Sequence, residues 1–241
     1  PRPRPSRKVS TPMSPENGAQ PHEIDQAVLD GQAPYHRRAL AFYDLVVFRG
    51  SAPWFWRCHP SNFEQLYRTS IGAKHLEIGV GTGYLLSRTR FPVSNPKVTL
   101  ADLNPATLDF TAQRLRFVET TKVVANALEP LPVPDESHDS AALSFLLHCI
   151  PGSLRDKGVA IKHAAAAVKP GGTVFGSTVL SSGVPVTRAG RWLMGNLNAK
   201  GVFHNDQDSL GDLRAQLEQN FDDFELVTRG SVGLFRARKP K

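Results

Sequence analysis

The sequence predicts a doubly wound α/β fold: a seven-stranded, mostly parallel sheet between layers of helix, with a helical cover on its N-terminal side. Three observations carry this expectation. Short apolar runs rich in β-branched residues alternate with helix-length segments over residues 71–241. The run HLEI, residues 75–78, opens directly into GVGTGYLL, which has glycines at the alternate positions Gly79, Gly81 and Gly83 before a helix-like stretch. A second strand then closes on Asp102, 25 residues after Glu77. An acid before such glycines and another at the end of the next strand describe a βαβ unit that binds a nucleoside.

The elements can be justified in order. Residues 1–21, PRPRPSRKVSTPMSPENGAQP, are rich in Pro, Ser and Arg and lack a periodic apolar face, which predicts a disordered basic tail. Its arginines suit a mitochondrial transit peptide, but its prolines prevent the amphipathic helix such a signal needs. Residues 22–70 form the expected cover. PYHRRALAFYDLVVFRG spaces Leu40, Tyr43 and Val47 at helical intervals, and SNFEQLYRTS after Pro60 does the same with Phe63, Leu66 and Tyr67. Between them SAPWFWRCHP puts Trp54, Phe55, Trp56 and His59 in a proline-flanked loop.

The nucleoside-binding core spans 71–241. After the second strand, Asn104 and Pro105 start a crossover helix with Leu108, Ala112, Leu115 and Val118 on one face. KVVANA is a short strand ending at Asn126 and Ala127, and a proline-rich turn leads to a buried strand from about Asp139. Residues 154–168 form an alanine-rich helix, followed by a Pro-Gly-Gly turn and the fifth strand. Residues 181–208 lie between the fifth strand and the last helix. SLGDLRAQLEQN is a last helix capped by Ser209, and FELVTRG and VGLFRARK are two strands joined by a tight turn that supply an antiparallel strand.

Composition narrows the function. With 241 residues and 40% hydrophobic content, the chain suits one sizeable domain. No apolar run has the length of a bilayer span and no secretory signal is evident, which predicts a soluble, cytoplasmic protein. Cys58 and Cys149 are the only cysteines and lack metal-ligand spacing, so reduced thiols and no metal are expected. The net charge of +7 sits at the ends: Arg2, Arg4, Arg7 and Lys8, then Arg229, Arg236, Arg238, Lys239 and Lys241. Removing these nine cations leaves −2 for the body, which argues against a nucleic-acid groove.

The glycine spacing selects among nucleosides. Counting from Gly79, a G-x-G-x-x-G pyrophosphate loop needs glycine at position 84, where the chain has Tyr84. Alternate glycines downstream of Glu77 leave room for a compact uncharged or cationic group instead, and S-adenosylmethionine fits that description. At this loop the chain resembles the class I S-adenosylmethionine-dependent methyltransferases. The likeness continues through KVTLADLNP, the segment around Asn126 and AVKPGGTVF, covering roughly residues 70–180.

The resemblance implies a cofactor site. Gly79, Gly81 and Gly83 would pass under the methionine part, Glu77 would meet its amino group, and Asp102 would accept both ribose hydroxyls. Leu103 and Asn104 would flank the adenosine. Asn126 and Ala127 stand near the adenine amino group, where the family often has Asp and Ala. Tyr43 and Ser144 complete the set, and the N-terminal helices would form a lid.

The substrate side is read from the fourth strand and beyond. Methyltransferases acting on nucleic-acid bases usually carry two prolines and an aromatic residue there, whereas this chain has Ser144, Phe145, Leu146, Leu147 and His148. Phe145 and Leu146 suit an apolar pocket. His148 is the candidate general base, useful if the acceptor is a hydroxyl or another group protonated at neutral pH, and a packed or capping histidine is the competing reading. Trp54, Phe145, Trp192 and Phe203 are candidate pocket residues, with Arg188, Met194 and His204 as further ones in a segment that reads equally as an ordinary packed helix. Methyl transfer to a small, partly apolar molecule is the expected activity, open as to an oxygen, nitrogen, sulfur or carbon acceptor. A nicotinamide oxidoreductase, disfavoured by Tyr84 and the lack of a Tyr-x-x-x-Lys relay, and a catalytically silent partner protein are the alternatives.

Overall fold

A computed structural model describes residues 51–241. The tail expected over 1–21, the helix expected over 34–50 and its Tyr43 lie outside the described residues. The strands β1 (Lys74–Ile78), β2 (Lys97–Asp102), β3 (Glu119–Val124), β4 (His138–Ser144), β5 (Val168–Val179), β6 (Asp223–Arg229) and β7 (Val232–Arg238) form one sheet in the order β3-β2-β1-β4-β5-β7-β6. The pairs among β1 to β5 are parallel, while β7 runs antiparallel to both β5 and β6. The expected fold class is the observed one.

Strand order reverses between β1 and β4, because the chain winds outward through β2 and β3 before returning. Such a reversal opens a crevice at the carboxyl ends of the strands. The ends of β1, β2 and β4 bring Gly79, Asp102 and Ser144 to that edge.

Two helical layers cover the sheet. The first holds α1 (Pro60–Ser70), α2 (Tyr84–Arg88) and α3 (Pro105–Arg114), whose Phe63, Tyr67, Leu85, Leu86 and Leu108 join Val98, Leu100, Ala142 and Phe175 in one apolar cluster. The second holds α4 (Leu154–Lys157), α5 (Val159–Ala167) and α7 (Leu210–Asn220), whose Leu154, Ala160, Ile161, Ala164, Leu213 and Leu217 pack on Leu76, Ile78, Ala141, Leu143 and Val174. Helix α6 (Arg188–Ala199) lies between β5 and α7 in the chain and contributes Met194 to the first cluster. Caps fall where the sequence puts them: Asn104 Oδ1 accepts from Ala106 N at 2.9 Å and Ser209 Oγ from Asp212 N at 2.9 Å.

The structure departs from the sequence reading in several places. The segment after Ser51 starts with a helical turn, Ala52–Trp54, rather than loop. The helix expected over 154–168 is two helices meeting at Gly158, which lies against the side chain of Gln216. The Pro-Gly-Gly turn is not outside the fifth strand but a bulge within it: His138 pairs with Val168 and Ser140 next with Thr173. Three of the five C-terminal cations belong to paired strands, Arg229 to β6 and Arg236 and Arg238 to β7, with Arg236 2.8 Å from Glu225, and Lys239 just beyond lies 3.1 Å from Glu136. No helix among the described residues is long and apolar enough to cross a membrane.

Candidate active site

The turn after β1 is built from three left-handed glycines, with φ of +70° at Gly79, +51° at Gly81 and +66° at Gly83. Their surroundings differ. A Cβ on Gly79 would come within 2.6 Å of Leu146 Cδ1, and one on Gly83 within 2.6 Å of Thr111 Cγ2, so both are also required by close packing. A Cβ on Gly81 would meet no atom of the described residues within 4 Å. The loop thus presents bare backbone to open space at its centre. Helix α3 holds it there, through Thr111 Oγ1 donating to Gly81 O at 3.0 Å and Arg114 Nη1 donating to Thr82 O at 3.0 Å.

Asp102 stands beside this space. Its Oδ1 accepts from Asn104 N at 2.9 Å, and the amides of Val80 and Gly81 also donate to the carboxylate, which ties the end of β2 to the glycine loop. Burial pushes its pKa up to about 6 despite these donors. A desolvated carboxylate at the rim of a crevice gains from further hydroxyl donors, and the two hydroxyls of a ribose supply that chemistry. The open face at Gly81 and the carboxylate beside it therefore fit a nucleoside-bearing cofactor.

Glu77 lies two register positions deeper on the same face of the sheet, opposite Leu100 and Ala142. Its Oε1 accepts from the Tyr67 hydroxyl at 2.6 Å, and its Oε2 lies 2.9 Å from His75 Nε2. Burial first, then the Glu77 charge, hold the Tyr67 phenol well above its ordinary pKa, so it remains a donor. The Ser144 hydroxyl lies against the Tyr67 phenol, and that of Ser177, its register partner on β5, is buried with no hydrogen-bond partner among the described residues.

The turn after β3 reaches the crevice because Ala125 N donates to Asp102 O at 3.1 Å. Strand β3 stops at Val124, so Asn126 and Ala127 belong to the turn. Asn126 is already engaged, with Oδ1 accepting from Leu128 N at 3.0 Å and Nδ2 donating to Glu129 at 3.2 Å.

The candidate substrate residues divide. Phe145, His148 and Phe203 come together as a wall: ring centroids are 4.8 Å apart for Phe63 and Phe145, 5.7 Å for Phe145 and His148, 4.4 Å for His148 and Phe203, and 5.9 Å for Phe203 and Trp56. Phe145 adopts a φ of +57°, a strained conformation for a bulky residue. Trp54 and Trp192 do not join the wall and are 75% and 66% exposed. Arg188 starts α6, while His204 N donates to the His148 carbonyl at 2.8 Å.

His148 lies in a 3₁₀ turn, Leu147–Cys149, and is buried. Its Nδ1 accepts from Val179 N at 3.3 Å and lies 3.3 Å from Thr178 Oγ1. Desolvation, then the nearby Lys157 charge, lower its pKa to about 3. These contacts are those of a packed, capping histidine, the second of the two readings that the sequence left open. Lys157 itself is fully buried, 2.8 Å from Asp208 Oδ2, and donates to the carbonyls of Ile150 and His204. It pins the segment carrying Phe203 to the turn carrying His148.

Sequence reasoning missed His75, Ser140 and Thr178 as members of this neighbourhood. Only His75 had a local signal, its alternation with Glu77 along β1. A separate cavity of about 510 Å³, lined by Glu64, Arg68, Arg88 and Arg90 among others, contains none of the expected site residues.

Comparison with known proteins agrees with this geometry. Residues 76–174 match the family described as Methyltransferase domain. The chain is 57% identical over 216 residues to demethylluteothin O-methyltransferase of Streptomyces thioluteus, an alignment covering 90% of this chain and 94% of that protein. It is 38% identical to methyltransferase ctvB of Aspergillus terreus, covering 86% and 93%. A Haemonchus contortus N-methyltransferase, in complex with phosphomonomethylethanolamine and S-adenosylhomocysteine, shares the fold with a TM-score of 0.63 at 15% identity, over 89% of this chain and 60% of that one. Fold, glycine loop and full-length likeness agree: this chain is a methyltransferase acting on a small molecule and belongs to the class I S-adenosylmethionine-dependent family.

Proposed function

We propose that the chain binds S-adenosylmethionine over the Gly81 turn and transfers its methyl group to a hydroxyl of a small, partly apolar natural product. The observation that carries the reading is the open space at Gly81 beside the buried Asp102 carboxylate. When bound, the cofactor supplies an electrophilic methyl on a sulfonium, whose positive charge is lost as the acceptor attacks in line.

The chain's own residues would bind and align. Asp102 would accept the ribose hydroxyls through its oxygens, Leu103 and Asn104 would flank the adenosine, and Asn126 and Ala127 would approach the adenine amino group. Gly79, Gly81 and Gly83 would let the methionine part lie against backbone, with Glu77 and Ser144 toward its amino end. Phe145 and Phe203 would offer the acceptor an apolar wall. Such a site accelerates transfer chiefly by holding nucleophile and methyl in line and excluding water, and needs no side-chain base for an acceptor that is already ionised. The hydroxyl acceptor is favoured by the likeness to demethylluteothin O-methyltransferase, which spans nearly the whole of both chains.

The test is a ligand-stabilisation series with S-adenosylmethionine, S-adenosylhomocysteine and NADH. Stabilisation by the first two, about 2.7 kcal/mol at a hundredfold excess over Kd, is expected. Asp102→Ala should abolish it. Stabilisation by NADH alone, or an unchanged response in Asp102→Ala, would overturn the reading. Production of S-adenosylhomocysteine with phenolic and enolic acceptors, but not with amines or thiols, tests the acceptor atom.

A further inference from the structure

We propose that Tyr67, His75 and Ser140 are positioning residues: a one-directional hydrogen-bond relay that points two donors at Glu77 and so fixes its carboxylate for the amino end of the methyl donor. The proposal rests on the cofactor reading above and extends it to residues that touch no ligand.

The relay follows from a donor count. Gly72 N donates to Ser140 Oγ at 2.8 Å, and Ser140 Oγ lies 2.8 Å from His75 Nδ1. With its oxygen already accepting from the amide, the serine has one proton to give, and His75 Nδ1 is the acceptor within reach. An imidazole that accepts at Nδ1 carries its proton on Nε2 when neutral. That proton points at Glu77 Oε2, 2.9 Å away. The second donor is the Tyr67 hydroxyl on Oε1, so each carboxylate oxygen receives one. The reverse polarity, with the single proton of the neutral ring on Nδ1, would leave Glu77 Oε2 facing the Nε2 lone pair.

Packing fixes the rings that carry these protons. Phe175 is fully buried, meets Tyr67 edge-on with centroids 5.0 Å apart and stacks on His75 at 5.7 Å. Tyr67, His75, Glu77 and Ser140 are themselves all buried, so water does not compete for the donors. The relay runs from the turn before β1, across β4, to the base of the glycine loop. A fixed anion there has the charge to pair with an ammonium group, and the two donors hold it in one orientation.

Two measurements test this. The ¹⁵N histidine spectrum of the unliganded wild type should show the His75 proton on Nε2; a proton on Nδ1 overturns the relay. Calorimetric titration then compares S-adenosylhomocysteine with 5′-methylthioadenosine, which lacks the amino-acid part. Ser140→Ala should weaken S-adenosylhomocysteine about tenfold, the scale of one hydrogen bond to a charged group, and leave 5′-methylthioadenosine within about twofold. Tyr67→Phe, which keeps the ring against Phe175, should show the same selectivity and serves if Ser140→Ala does not fold. Equal affinities in wild type and both variants, or an equal loss for both ligands, overturn the positioning role. If the wild type binds neither ligand, the cofactor reading fails instead, while the tautomer still reports on the relay.

Discussion

Alternate residues of the same strands enter two unlike interiors. Leu76, Ile78, Ala141, Leu143 and Val174 face α5 and α7 with apolar side chains alone. Their neighbours one position away, His75, Glu77, Ser140, Ser144 and Ser177, face α1 and include buried hydroxyls and a carboxylate. Buried polar groups are costly unless paired, so a sheet face that carries five has a use for them. The first face holds the fold together, and the second is shaped around the crevice. Period-two alternation lets one strand serve both.

Mutations on opposite faces should separate these roles. Leu143→Ala opens a cavity in the apolar layer and should lower stability by about 2–5 kcal/mol, read by denaturant unfolding, with the Kd for S-adenosylhomocysteine unchanged in the folded fraction. A changed Kd at unchanged stability would break the comparison.

Gly81→Ala tests the other side. Its Cβ enters open space, so the stability cost is the left-handed φ alone, about 1–2 kcal/mol. Cofactor affinity should fall at least tenfold, because that space is the proposed binding face. Gly83→Ala, which drives a Cβ against Thr111, should instead cost more stability than Gly81→Ala. Equal effects of the two alanines on affinity would show that the loop does not distinguish a ligand side from a packing side.

The parts legible in the sequence were those written in short-range spacing. Alternate glycines, an acid closing the second strand and the Asn104 and Ser209 caps all depend on neighbours within a few residues. The relay was not legible, because Ser140 is 65 residues from His75 and meets it only through the β1–β4 register. The bulge in β5 and the break at Gly158 depend likewise on what β4 and α7 present from across the fold. Of the aromatics, sequence reading picked Phe145 and Phe203, but it could not separate these from Trp54 and Trp192. Which rings face inward was set by the helical turn at Ala52–Trp54 and the phase of α6.

Asp102 adds a titration to the comparison of the faces. Its folded pKa of about 6 lies above the ordinary 3.8, so the folded state binds this proton more readily than the unfolded chain. The stability cost of the ionised group is complete above about pH 6 and vanishes as pH falls below about 3.8. Cofactor binding should move the other way, since protonation converts an acceptor into a donor facing hydroxyls. Affinity for S-adenosylhomocysteine should hold from pH 8 to 7 and fall severalfold by pH 5.5, and Asp102→Asn should flatten that profile at a weaker level. A flat profile in the wild type would remove the ionised carboxylate from the binding role.

The smallest effect is expected at His148, and there the absence of a change is informative. With Nδ1 accepting the Val179 amide, the neutral ring carries its proton on Nε2, so neither nitrogen is free to take one from a substrate. The ring's contribution to stability is present above its unfolded pKa near 6.5 and is lost as pH falls toward about 3, which sets its titration below the range where transfer would be assayed. His148→Gln retains an acceptor for Val179 N–H and should keep kcat within about threefold, with an unchanged pH profile from 6.5 to 9. A general base contributes about 10²–10⁴-fold, so a loss on that scale in a folded His148→Gln protein, with loss of the profile's acid limb, would restore the histidine to catalysis. The wall of Phe145, His148 and Phe203 would then be reacting surface rather than support.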